Sequence, residues 1–142
     1  MEFTFAITPS KQSVLLIDQL MESYSELYSI PYARDMCFVM HELVINAVEA
    51  MEKEGRSESI EVHMRNEDEK LRITVTDFAK GIPQEQWPVV LDMSADGDNF
   101  CERGRGFLFI QHMVDQLWFE QVSDVQFLVG VEKKLVTAGE VT

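Results

Sequence analysis

The hydrophobic residues of this chain change their period once, near Gly55, and that change decides which layers it can build. Before Gly55, apolar side chains recur every three or four residues. Val14, Ile17, Leu20, Met21, Tyr24 and Leu27 form one run; Met36, Cys37, Met40, Leu43, Val44, Ala47, Val48 and Met51 form a second. At about 100° per residue, each run gathers its apolar side chains on one side of a helix. After Gly55, Ile60, Val62 and Met64 alternate with polar residues, as do Leu71, Ile73 and Val75, and the polar NEDE lies between them. Alternation puts neighbouring side chains on opposite faces, so this region reads as a hairpin of two strands with one buried face. Two helices with apolar faces, followed by a one-faced sheet, satisfy each other by packing together.

Shorter signals fill in the rest. Phe3, Phe5 and Ile7 alternate as a first strand, and Thr8-Pro9 reads as a helix N-cap followed by proline at the first helical position. Pro31 is expected to open the second helix, which runs to about Lys53 and stops at Gly55. A loop-rich stretch, 81–104, carries Pro83, Pro88 and Gly97. Its later part, 92–104, together with Arg105 is poor in apolar anchors and reads as a mobile lid, 92–105. Phe107, Ile110, Val114 and Leu117 suggest a third long helix, and strands at 118–122 and 125–133 close the chain around Ser123-Asp124. The expected fold is a two-layer α/β sandwich, a mixed and mostly antiparallel sheet covered on one face by about three helices.

At 142 residues the chain fits one domain, 1–142, with a sizeable core. Its longest apolar runs, such as VLLI and FLFI, are too short to span a bilayer. The opening MEFTFAITPSK lacks the basic start and apolar stretch of a secretion signal. Cys37 and Cys101 have neither metal-ligand spacing nor the look of a disulfide framework, so a reduced, cytoplasmic setting is expected. The net charge of −13 repels phosphate backbones and argues against direct nucleic-acid binding, while being compatible with a basic protein partner.

Three segments carry chemistry. On the second helix, Asp35, Glu42, Asn46, Glu49 and Lys53 form a narrow polar stripe opposite the apolar arc. Such stripes usually face water. Asn46 is nonetheless a poor mid-helix residue, costing about half a kcal/mol relative to Ala. In VTDFAKGIP, the alternation through Leu71, Ile73 and Val75 turns Asp77 inward at the strand's end. An inward carboxylate needs donors, which either the following turn or a ligand's amino group can supply. Gly81 then lets the backbone turn, or lets something flat approach. In ERGRGFLFI, Gly104 and Gly106 stand at the mouth of a helix, where free amides favour anions, and Arg103 and Arg105 interleave with them. A lone GxG is more often a turn than a phosphate site, and the P-loop spacing is absent.

In order, these segments resemble the N, G1 and G2 boxes of the GHKL ATPases, the superfamily that includes DNA gyrase, the MutL proteins and histidine kinases. Here they read ELVIN, DFAKG and GRG. The resemblance implies the Bergerat ATP-binding fold. Within the superfamily, the chain's length and the GRGFLFI segment look like the anti-sigma-factor serine kinases. The resemblance then implies that Asp77 accepts a hydrogen bond from the adenine amino group and Asn46 holds Mg2+. Ala79 and Gly81 belong to the base-binding loop, while Arg103, Gly104, Arg105, Gly106 and the amide of Phe107 hold the phosphates of ATP. Glu42 would be the general base. It further implies a sigma factor held inactive, phosphorylation of a STAS-domain antagonist, and a homodimer. Two alternatives stay open: a non-catalytic ATP-binding sequestering regulator, and a stand-alone histidine-kinase-like module. Ala79 replaces the usual first glycine of the G1 box, and Glu49-Ala50 stands where relatives often carry His-Gly. His41 and His63 are expected to be structural.

Overall fold

The computed structural model describes residues 1–92 and 106–136. Of the expected lid only Asp92 falls among them; Cys101, Arg103, Gly104 and Arg105 lie outside the described residues. Along the chain come β1 (Glu2–Ile7), α1 (Lys11–Leu27), α2 (Ala33–Lys53), β2 (Ile60–Glu67) and β3 (Lys70–Asp77). A 3-10 turn (Gln84–Gln86) and α3 (Trp87–Val90) follow, then α4 (Phe107–Gln111), β4 (Gln116–Ser123) and β5 (Gln126–Lys134). The strands lie in the order β1-β2-β3-β5-β4. All four pairings are antiparallel, so the sheet is not mixed.

The change of period produces the two expected layers. Ile60, Val62, Leu71, Ile73 and Val75 are buried on the sheet's inner face, with Phe127, Val129 and Val131 beside them. Asp68 and Glu69 close the β2–β3 hairpin at φ 54° and 60°. Two successive left-handed residues match the twist of the flanking strands, as in a type I′ turn. Helix α1 covers this face with Val14, Ile17, Met21 and Tyr24, and α2 with Met36, Val39, Met40, Leu43, Val44, Ala47, Val48 and Met51. Each large apolar side chain so buried contributes about 1.5–3 kcal/mol, which is why α2 is anchored along its whole length.

Helix α2 ends where Gly55 predicts. Gly55 takes φ 67°, and the amides of Gly55 and Arg56 donate to the carbonyls of Glu52 and Met51 at 3.1 and 2.9 Å. This paired closure satisfies carbonyls that the helix itself leaves open.

Three boundaries depart from the sequence expectation. Helix α1 is capped by Ser10, whose hydroxyl accepts from the Ser13 amide, while Thr8 bonds side chain to side chain with Ser10 and Ser13. The helix therefore starts beyond Pro9. Helix α2 starts at Ala33 rather than Pro31, because Tyr32 sits at φ 60°, outside helical geometry. The expected long third helix is the short α4. The Asp115 amide donates to the Glu132 carbonyl, and Asp115 Oδ2 accepts from the Lys134 amide at 2.7 Å. Leu117 is consequently a strand residue opposite Val131, and strand pairing has overridden the helical spacing. Strand β4 runs longer than expected and β5 is shifted by one residue, to either side of a turn at Asp124-Val125.

Candidate functional site

The polar stripe of α2 divides. Glu49 and Lys53 are exposed, whereas Glu42 and Asn46, one turn apart, are half-buried. The Glu42 carboxylate faces the residue that leads into α4: a Cβ placed on Gly106 would lie 3.7 Å from Glu42 Oε2. Gly106 has an ordinary φ of −68°, and a Cβ at 3.7 Å would make only an ordinary van der Waals contact with that carboxylate. The next residue, Phe107, is 1% exposed, with its ring 5.2 Å from that of Phe119. Its side chain belongs to the core, and only its backbone is available to a ligand.

The second half of the site lies where β3 ends, against α2. Asp77 is 1% exposed, and its Oδ1 accepts the Ala79 amide at 3.0 Å. The inward carboxylate thus caps the turn. A carboxylate has about four lone-pair positions, so the bond to the Ala79 amide does not by itself exhaust its acceptor capacity. Ala79, 4% exposed, is accommodated as part of the hydrophobic core.

Gly81 is explained by a close approach. A Cβ there would fall 2.5 Å from Cγ and 2.9 Å from Cε1 of Phe127. The flat group against Gly81 is therefore the protein's own phenyl ring. Phe127 also faces Asp77 across the β3–β5 ladder. Two more contacts fix this loop: the Lys80 amide donates to Glu54 Oε2 at 2.6 Å, and Trp87 Nε1 donates to the Ile82 carbonyl at 2.7 Å.

An aromatic cluster joins the two halves. Trp87 meets Phe119 and Phe127 at centroid distances of 5.8 and 6.3 Å, and Phe119 meets Phe127 at 5.7 Å and Phe107 at 5.2 Å. The ring beneath Gly81 is thus connected through two contacts to the residue after Gly106. Gln111 adds a tie between α4 and α3 by donating to the Val90 carbonyl.

The structure brings Glu42 beside Gly106, and it seats Asp77, Ala79 and Gly81 on one loop. Sequence reasoning missed Phe127, Trp87 and Glu54. Alternation along β5 turns Phe127 inward and could have found it; nothing local marks Glu54, whose partner is 26 positions away. His41 Nδ1 lies 3.0 Å from both oxygens of Asp18 and joins α2 to α1, and His63 Nε2 lies 2.6 Å from Glu2 Oε1 across β1–β2.

The donor set fits a magnesium nucleotide. A buried carboxylate suits the amino group of a base, and the Asn46 amide oxygen is a hard ligand for a hard cation. Among the described residues no cluster of three or more His, Cys, Asp or Glu could hold a metal alone. Magnesium suits such a site, because it commonly takes one or two protein ligands together with phosphates and water. Among the same residues no helix is long and apolar enough to cross a membrane.

Comparison with known proteins bears on the fold and the family. None of the curated proteins matches the chain. A solved structure of the SiaB-SiaC complex from Pseudomonas aeruginosa contains a chain that matches with a TM-score of 0.68 at 17% identity, covering 92% of this chain and 88% of that one. The catalytic domain of the histidine kinase ThkA matches with a TM-score of 0.57 at 15% identity, covering 95% and 96%. Such identities establish a shared fold. The sequence model of the histidine kinase-like ATPase domain matches residues 14–129, from α1 into β5, and takes in every candidate site residue described above. The chain belongs to the histidine kinase-like ATPase domain family.

Proposed function

We propose that this protein is an ATP-dependent serine kinase of the anti-sigma-factor kind, which holds a sigma factor inactive and phosphorylates a STAS-domain antagonist of that hold. Domains of its family bind ATP, typically with Mg2+. The observation that carries the reading is the Glu42 carboxylate set against Gly106, with Asn46 one turn further along the same helix. Bound magnesium ATP supplies a transferable phosphoryl group. Asp77 accepts from the adenine amino group, and Asn46 holds the metal through its amide oxygen. The Gly106 and Phe107 backbone flanks the phosphates; Gly104 and the neighbouring Arg103 and Arg105, outside the described residues, are assigned there by sequence alone.

Glu42 takes the proton of an incoming serine hydroxyl. The serine oxygen would then bond to the γ-phosphorus as the bond from the β–γ bridging oxygen to that phosphorus breaks, releasing ADP. A general base of this type contributes about 10²–10⁴-fold in rate. The SiaB-SiaC complex supports a protein partner for this fold, because its own chains form a complex of two proteins. The proposed assembly is a homodimer.

The test compares wild type with Glu42→Ala for ATP affinity and for phosphate transfer to a STAS protein. The expected result is retained affinity with transfer reduced at least a hundred-fold. Normal transfer by Glu42→Ala would remove Glu42 from the chemistry. Wild-type protein that binds ATP yet phosphorylates no STAS partner would favour a non-catalytic regulator, and acid-labile phosphohistidine on a partner would favour the histidine-kinase-like alternative.

A further inference from the structure

Glu54 stands at the exposed C-cap of α2, beyond the motifs that mark the site. Its carboxylate crosses to the loop after β3 and accepts the Lys80 amide at 2.6 Å, between Ala79 and Gly81. A short bond from a backbone amide to an ionised acceptor is of the stronger, charge-assisted kind. The loop is held elsewhere by the Asp77–Ala79 bond, by the ring under Gly81 and by Trp87 on Ile82. The first is internal to the loop, and the others grip its far end from β5 and α3. Glu54 adds a hydrogen bond from α2 to the middle of the loop.

We propose that Glu54 is a positioning residue for the nucleotide base: by holding the Lys80 amide it fixes the Asp77–Gly81 loop relative to the helix that carries Glu42 and Asn46. This inference rests on the nucleotide-binding reading above. Glu42 and Glu54 are twelve residues apart, about 18 Å along a helix rising roughly 1.5 Å per residue. One rigid helix therefore carries a group at the phosphate end and a group at the base end. The spacing between the two ends of the site is set by α2, with Glu54 transmitting it to the loop.

The test measures ATP, ADP and adenosine binding to wild type, Glu54→Ala and Glu54→Gln by calorimetry, with the thermal midpoint and Lys80 amide exchange read on the same samples. Glu54→Ala is expected to weaken all three ligands by a similar factor of about five, or ~1 kcal/mol at 1.4 kcal/mol per tenfold. The factor is shared because the loop serves the base and not the phosphates. The Lys80 amide should exchange faster. Glu54→Gln should recover most of the affinity, since an amide oxygen still accepts; a purely structural cap would change the melting point without this pattern. Wild-type affinity in Glu54→Ala would overturn the inference while leaving the nucleotide reading standing. A Gln variant as weak as Ala would overturn the hydrogen-bond account. If wild type binds none of the three ligands, the nucleotide reading fails and this inference fails with it.

Discussion

Asp77→Asn separates the two duties of that side chain. In the structure, Asp77 Oδ1 accepts from the Ala79 amide at 3.0 Å while the residue is 1% exposed. Asparagine has the same shape and keeps an amide oxygen for that bond, so the turn should survive. Burial makes a carboxylate costly to desolvate, and its neutral replacement avoids that cost; the thermal midpoint should hold or rise slightly. Ligand binding should behave differently. The substitution removes a charged acceptor and presents an NH2 group toward the adenine amino group, so a donor meets a donor. A hydrogen bond to a charged group is worth about 1.5–3 kcal/mol, which corresponds to roughly 10- to 100-fold in dissociation constant. Calorimetric titration with magnesium ATP reads the affinity, and a thermal melt of the same preparation reads the fold. GTP, which presents a carbonyl where adenine has its amino group, should gain relative to ATP. Unchanged ATP affinity in a folded Asp77→Asn protein would refute the placement of the base at Asp77.

Other consequences can be checked in parallel. Gly81→Ala drives a methyl into the Phe127 ring, and overpacking of this kind costs about 1–3 kcal/mol; at roughly 3 °C per kcal/mol the melting point should fall by several degrees, with weaker ATP binding. Gly55→Ala strains the left-handed residue that closes α2 and should lower the melting point by a few degrees, since the conformation costs about 1–2 kcal/mol for a residue with a Cβ, while leaving nothing else for the methyl to meet. Trp87, bonded to the Ile82 carbonyl beside the base loop, should change its fluorescence on addition of ATP, whereas Trp118 lies on the opposite face of the sheet. The response should therefore persist in Trp118→Phe and vanish in Trp87→Phe.

Where one physical constraint dominated, the sequence was readable. The alternation in β2 and β3 fixed which faces are buried, and the same parity turned Asp77 inward. Gly55 stopped α2 because few other residues accept its backbone angle. Reading failed where two patterns shared the same letters. Phe107, Ile110, Val114 and Leu117 have helical spacing, yet the second pair lies beyond α4, because β4 pairs along β5 from Gln116 to Ser123, with a register shift between Gln121 and Ser123. Cap choice was equally underdetermined: Thr8 and Ser10 are both good caps, and the hydroxyl contacts among Thr8, Ser10 and Ser13 decide between them. In the candidate site, residue types with a motif were legible and their supports were not. Phe127 and Glu54 act on the base loop through contacts that only the folded chain creates.

The face of the sheet turned away from the helices has a different consequence. There Trp118 lies flat on Gly130, where a Cβ would come within 2.8 Å of its Nε1, and the Arg72 guanidinium sits 5.3 Å from the indole centroid. Glu132 Oε2 accepts from Arg72 Nε and Nη2 at 3.1 and 2.8 Å. Among the described residues the indole is half-buried on this face, and exposed apolar surface promotes association. A guanidinium over the ring, anchored by its neighbouring carboxylate, keeps that surface wet and charged, much as natural sheets deter their own stacking with placed charges. The arrangement protects colloidal behaviour more than it protects the fold. Removing the guanidinium should leave the folded monomer nearly as stable as before, and the damage should appear instead as concentration-dependent turbidity.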